Sequence, residues 1–255
     1  MPLFALLDRC FAPAPEPRKV AWIGQTHFAH RGLHGPGVPE NSPAAFAAAI
    51  ARGLGIECDI QRSSDGQAMV FHDWELDRLT GENGPVAGRS AEQLSLIALS
   101  AGTDTIPTLR QVLAQVSGRV PLLIEIKSRR NMRIFPLCLA VRRVLEGYQG
   151  AYGVMSFDPR VAKWFRQHSP NTLRGLVVTE ENDKTYAGTL RRHLALWHAR
   201  PDFLAYDIRD LPSDFAKAQR ARGLALASWT VRSPDLRERA RLYADAPIAE
   251  GAGIA

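Results

Sequence analysis

The sequence predicts an α/β fold, a (β/α)8 barrel, and three observations predict it. From about residue 20 onward the hydrophobic pattern switches repeatedly between short apolar runs and helical periods. Seven or eight such strand–helix units fit into 255 residues, a length typical of one barrel. The apolar runs are mostly continuous, as parallel strands buried on both faces require. A doubly wound open sheet is the alternative arrangement of the same elements.

Residues 1–19 read as a lead-in. Residues 3–11 allow a short amphipathic helix, and Ala12-Pro13-Ala14-Pro15-Glu16-Pro17 is an extended linker because each proline restricts the residue before it. A single domain is expected over 20–255. Phe28-Ala29 ends its first short strand. Residues 42–52 form an Ala-rich helix, with Asn41 or Ser42 as N-cap, Pro43 at the first helical position and Gly53 past its end. Strands follow at 54–61 and 68–71, around the turn signal Asp65-Gly66.

Residues 74–105 are turn-rich and read as a small insertion after the second strand. Beyond it come a helix at 108–116 with Thr108 as N-cap, a strand at 121–126 and a helix at 133–145. Strands at 153–157, 173–178, 203–206, 224–230 and 246–249 then alternate with helices at 159–167, 190–198, 213–222 and 234–243. Residues 179–189 read as polar and irregular. No residues remain for a full helix after 246–249, so the last β/α unit is expected to be incomplete, or covered by 3–11.

Apolar residues make up 45% and charged residues 23%, a globular balance that excludes a disordered chain. The formal charge of +6 favours anionic partners. The basic residues occur as pairs (Arg129-Arg130, Arg142-Arg143, Arg191-Arg192), not as a stripe, so nucleic acid is not an expected partner. Cys10, Cys58 and Cys138 are too few and too irregular for a disulfide framework or a zinc site, which suggests a reducing, cytoplasmic setting. No apolar run reaches the roughly 18 residues of a membrane span. Gly81 to Gly88 lacks the strand–turn–helix context of a nucleotide loop.

Two strands break the apolar rule in the same way. In Ile56-Glu57-Cys58-Asp59-Ile60 the two acids share one face and the apolar residues the other. In Ile124-Glu125-Ile126-Lys127 the charged pair again shares a face. Those faces are expected to point into the barrel near the carboxyl ends of the strands, where barrel active sites are built. Glu57, Asp59 and Glu125 at one mouth would repel one another and need a compensating cation. Hard carboxylate oxygens suit Ca2+, Mg2+ or Mn2+. The plainer possibility is that these acids simply pair with Arg31 or Lys127.

His30 and His72 each follow a strand. Two histidines flanking a metal-bound phosphodiester can take a proton from the nucleophile and give one to the leaving oxygen. Arg31 offers a planar fork to phosphate oxygens and Lys127 a point charge. His27, His34, His168, His193 and His198 have no comparable neighbours in sequence and read as packed or solvated.

The ordered motifs are His30-Arg31-Gly32, Glu40-Asn41-Ser42-Pro43, Ile56-Glu57-Cys58-Asp59, Asp65-Gly66, His72-Asp73, Leu79-Thr80-Gly81, Ile106-Pro107-Thr108-Leu109 and Ile124-Glu125-Ile126-Lys127, with looser echoes at Ser156-Phe157-Asp158 and Ser228-Trp229-Thr230-Val231. This set resembles the glycerophosphodiester phosphodiesterase family over residues 28–231. The resemblance implies a (β/α)8 TIM barrel that hydrolyses a small-molecule phosphodiester to an alcohol and a phosphomonoester, usually sn-glycerol 3-phosphate. Carried over by position, it implies that Glu57, Asp59 and Glu125 hold the divalent cation and that His30 and His72 form the acid/base pair. It also implies that Arg31 and Lys127 bind phosphate, that Glu40 and Asn41 shape the site and that Trp229 walls the substrate pocket. Ser42 stands where the family usually has threonine, and residues 246–251 depart from the usual acidic turn and following helix.

Two other functions compete with a glycerophosphodiesterase. A lysophospholipase D-type enzyme would need an apolar slot, to which Phe135, Trp164, Phe165 and Trp197 could contribute. A non-catalytic binder of phosphoryl ligands would have no use for two placed acid/base groups.

Overall fold

The computed structural model describes residues 2–181 and 183–254, with side chains from Phe4 onward. Met1 of the lead-in, Asn182 of the polar stretch and Ala255 lie outside the described residues. The elements in chain order begin with helices α1 (Pro2–Phe11) and α2 (Pro17–Val20), followed by strand β1 (Phe28–Ala29), helix α3 (Pro43–Ala51) and strands β2 (Gly55–Arg62) and β3 (Ala68–Val70). Next come α4 (Ala91–Ser95), α5 (Leu109–Val116), β4 (Leu122–Ile126), α6 (Phe135–Leu145), β5 (Tyr152–Ser156), α7 (Pro159–His168) and β6 (Leu173–Val178). The chain continues through α8 (Tyr186–Ala199), β7 (Phe203–Asp207), α9 (Asp214–Ala221), β8 (Ala225–Val231), α10 (Pro234–Tyr243) and β9 (Ala246–Ala249). Eight parallel strands alternating with helices make this a (β/α)8 TIM barrel, with β3 as an extra strand outside the eight.

The chain divides into two compact units, residues 28–152 and residues 1–27 with 153–255. In the first, β2 is the organising strand. It pairs in parallel with β1 on one side and β4 on the other, and β3 folds back antiparallel on its end. Helix α3 is the crossover from β1 to β2. Ser42 caps it by accepting from the Ala45 amide at 3.1 Å, and Pro43 occupies the first turn. Such a cap is worth about 1 kcal/mol. Thr108 and Gln111 form a capping box at the start of α5.

The insertion is more ordered than its turn-rich sequence suggests. It contains α4, and Leu76, Val86, Leu94, Ile97 and Leu99 bury against Met69, Phe71 and Ile106. These apolar residues are spaced without a helix or strand period, so no pattern announces the small core they form.

In the second unit β5 to β9 pair consecutively and in parallel. Helix α8 begins at Tyr186, four residues earlier than its apolar period indicates. Thr185 caps it by accepting from the Gly188 amide at 3.0 Å, so the polar stretch is partly its first turn. Helix α1 is anchored rather than loose. Its buried Asp8 accepts from Trp197 Nε1 at 2.7 Å and Gln219 Nε2 at 2.7 Å, and lies 2.8 Å from His193 Nδ1. After β9 the chain makes only a short 3-10 turn, Gly251–Gly253, so the last β/α unit lacks its helix among the described residues.

Candidate active site

All of the sequence constellation except Trp229 falls in the unit of residues 28–152. Its frame is the register between β2 and β4. Asp59 stands opposite Glu125, and Glu57 lies one pleat earlier on the same face of β2. Glu57, Asp59 and Glu125 are all buried, and each offers a carboxylate oxygen within 4.8 Å of the others.

Two loop residues with left-handed backbones bring the β1–α3 segment against this face. Arg31 has φ 56° and Asn41 has φ 54°, a region unfavourable for side chains larger than glycine. The turn at Arg31 aims its backbone N–H at Glu57 Oε2, 3.1 Å away. Asn41 donates its backbone N–H to the Arg31 carbonyl at 2.8 Å and its Nδ2 to Asp59 Oδ2 at 2.9 Å. Its Oδ1 accepts from the Asp59 amide at 3.3 Å. Strained backbone held by so many partners is characteristic of sites where geometry matters more than local stability.

The charges divide unevenly among the three acids. Lys127 Nζ sits 2.9 Å from both Asp59 Oδ1 and Glu125 Oε1, and Arg31 Nε is 3.4 Å from Asp59 Oδ2. Burial alone would push the Asp59 carboxyl up, but Lys127, His72 and Arg31 together hold it far below the usual range. Glu125 is raised because burial outweighs the help of Lys127. Glu57 is raised well above an ordinary glutamate, by burial and then by repulsion from Asp59 and Glu125. His30 Nε2 lies 4.0 Å from Glu57 Oε2, and the charge and backbone N–H of Arg31 offset the rise only in part.

Simple ion pairing therefore accounts for Asp59 and, in part, for Glu125, but leaves Glu57 short of positive charge. Three hard oxygen donors with that deficit fit a divalent cation such as Ca2+, Mg2+ or Mn2+. The buried Arg31 Nε, which makes no hydrogen bond, adds a donor at the edge of the same cluster.

His72 is oriented from behind. Its Nδ1 lies 2.6 Å from Asp73 Oδ1, and its carbonyl accepts from Gln61 Nε2 at 3.1 Å. A carboxylate on Nδ1 fixes the proton there and leaves Nε2 for chemistry. Burial lowers the His72 pKa; Asp59 opposes this, and Lys127 and Arg31 add to it. Asp73 is held at about 2, because hydrogen bonds from Arg78 and His72 outweigh its burial. Arg78 also reaches Glu40, and Glu40 Oε1 in turn holds Arg31 Nη1 at 2.7 Å.

Asp73, Arg78 and Gln61 are the residues that sequence reasoning did not single out for the site. The acid directly after His72 was a usable signal. Arg78 gave none, since it lies in a segment that reads as a surface excursion. Arg129, just past β4, stacks over the Trp74 ring at 4.3 Å and ties that excursion to the β4 loop. Trp229 belongs to the other unit, where its Nε1 donates to the Ala205 carbonyl at 2.9 Å and its ring meets Phe157 edge-on at 5.4 Å.

The chain is similar to known proteins along most of its length. Residues 30–249 match the model of the Glycerophosphoryl diester phosphodiesterase family. A glycerophosphodiester phosphodiesterase of Bacillus altitudinis is 37% identical over 116 residues, 43% of this chain and 47% of that protein. One from Caldanaerobacter subterraneus is 26% identical over 83% of this chain and 88% of its own. The structure of an Oleispira antarctica phosphodiesterase in complex with the product sn-glycerol-3-phosphate superposes with a TM-score of 0.78 at 23% identity, covering 91% of this chain and 94% of that one. With the family match spanning most of its length, the chain belongs to the Glycerophosphoryl diester phosphodiesterase family and is a phosphoric diester hydrolase.

Proposed function

We propose that the protein hydrolyses glycerophosphodiesters to an alcohol and sn-glycerol 3-phosphate, with a divalent cation held by Glu57, Asp59 and Glu125. The observation that carries this reading is the three buried carboxylates within 4.8 Å of one another, with His30, His72, Arg31 and Lys127 around them. A cation there supplies Lewis-acid polarisation of a phosphoryl oxygen.

The chain's own residues supply the rest. Arg31 and Lys127 are the phosphate ligands, one a planar fork and the other a point charge, and both favour the negative charge that builds on the phosphoryl oxygens. Glu40 and Asn41 hold the loop that carries Arg31. His30 and His72 act as a general acid/base pair. One accepts a proton from the attacking water as its oxygen bonds to phosphorus; where a substrate hydroxyl attacks first, water then opens the cyclic phosphate in the same way. The other delivers a proton to the alcohol oxygen as that P–O bond breaks. The Asp73 contact supports His72 in this role, since it leaves Nε2 to exchange the proton.

The role of Trp229 as a wall of the substrate pocket rests on the family resemblance alone. A cytoplasmic setting rests on the three free cysteines; among the described residues no helix is long and apolar enough to cross a membrane.

A substrate panel tests the reading. Glycerophosphocholine, glycerophosphoethanolamine, glycerophosphoinositol and lysophosphatidylcholine would each be assayed on chelator-treated protein with Ca2+, Mg2+ or Mn2+ restored. Cation-dependent release of sn-glycerol 3-phosphate from a glycerophosphodiester is expected. Turnover of lysophosphatidylcholine alone, or of nothing in the panel, would overturn it.

A further inference from the structure

Arg78 is half exposed and sits in the insertion, yet its guanidinium joins two carboxylates that carry different parts of the site. Nε and Nη2 donate to Asp73 at 2.6 and 3.0 Å, and Nη1 and Nη2 donate to Glu40 at 3.2 and 2.7 Å. Asp73 is the carboxylate on His72 Nδ1, and Glu40 is the carboxylate on Arg31 Nη1. We propose that Arg78 is a positioning residue that locks the His72 imidazole and the Arg31 guanidinium at one fixed spacing. This rests on the phosphodiesterase reading above.

The physical case is geometric. Asp73 and Glu40 come from segments 33 residues apart and converge on the same Nη2 nitrogen. Two carboxylates that close repel each other unless a cation stays between them. A planar fork can serve both at once, with Nη2 shared and Nε and Nη1 one to each side. An ammonium is a single point and cannot reproduce that span. With the guanidinium gone, Asp73 and Glu40 move apart. His72 then loses the anchor that sets its tautomer and ring angle, and Arg31 loses the partner that aims its fork at phosphate.

The insertion thereby acquires a purpose. Leu76 and Thr80, on either side of Arg78, are buried, and the Thr80 backbone N–H and side-chain Oγ1 both donate to the Leu76 carbonyl, at 3.1 and 2.9 Å. That turn sits on the insertion's own core and holds Arg78 as a strut reaching back to the site. The two arms make different demands. Asp73→Asn should lower kcat, Glu40→Gln should raise KM, and Arg78→Ala should do both. Loss of a partner that orients a reactive histidine costs about 10- to 100-fold.

The test has one readout that does not depend on turnover. In 1H–15N spectra of the protein, the His72 Nδ1–H proton should be protected in wild type and broadened or lost in Arg78→Ala and Arg78→Lys. A double-mutant cycle supplies the second readout: Arg78→Ala should lower kcat much less in the Asp73→Asn background than in wild type. Arg78→Gln, which retains a donor and bulk, replaces the alanine variant if the latter melts early. An unchanged His72 signal in a folded Arg78 variant would overturn the proposal, as would a kcat loss of equal size in both backgrounds. A wild-type protein inactive on every phosphodiester would sink the functional reading instead, and the His72 signal would still decide this one.

Discussion

Asp59 and Glu125 stand opposite each other on adjacent parallel strands, and one ammonium, Lys127 Nζ, touches both at 2.9 Å. The two acids share the lysine's single charge, and Glu57, one pleat away, is repelled by both of them. That asymmetry drives the first expectations.

Chelation should abolish turnover, and calcium or magnesium should restore it. Glu125→Gln should weaken cation affinity while leaving the fold intact, because the amide keeps the shape and loses the charge. Calorimetric titration of the ion into wild type and variant measures this. An unchanged titration would remove Glu125 from the ligand set.

Glu57 links the ion to stability through pH. Its folded pKa lies above the ordinary value of 4.5, so the folded, ion-free protein binds more protons than the unfolded chain above that value. Stability of the ion-free form should therefore fall as pH rises beyond 4.5 through the raised pKa. A bound cation favours the ionised carboxylate and removes this loss. The gap in Tm between cation-loaded and chelator-treated protein should widen with rising pH, and a gap constant from pH 5 to 8 would contradict the assignment.

His30→Ala and His72→Ala should each lower kcat by roughly 10²–10⁴ if both transfer protons. The bell-shaped pH–rate profile should lose one limb in each variant. Near wild-type turnover in either would remove that histidine from the pair.

Gly32 follows the strained Arg31 and has φ 79°. A Cβ there would lie 2.8 Å from Ala45 Cβ and 3.0 Å from Phe46 Cδ1. Gly32→Ala should cost about 1–3 kcal/mol through left-handed backbone and overpacking against α3. A thermal melt checks it, and an unchanged Tm would show that the turn relaxes freely.

Much of this was written in local pattern. Alternating apolar runs and helical periods carried the barrel class. Ser42 and Thr108 announced helix starts, and each caps there. The period-two spacing of Glu57 with Asp59, and of Glu125 with Lys127, put the charged groups on shared faces, because side chains alternate along any strand. The start of α8 was obscured because its first turn, Tyr186-Ala187-Gly188-Thr189, buries only a glycine and so carries no apolar period.

What only the tertiary structure decided is how those residues divide their charge. Strand register is set by pairing between segments distant in sequence, and it alone placed Glu125 beside Asp59 rather than beside Glu57. The partnership of Arg78 with both Glu40 and Asp73 was likewise invisible in the chain, since a loop held by its own buried core carries no periodic signal. Sequence by itself determined which groups were available and which faces they share, because that follows from backbone geometry. The fold determined which carboxylate is least compensated and which arginine bridges Glu40 and Asp73, because electrostatics depends on distance in space and not on separation along the chain.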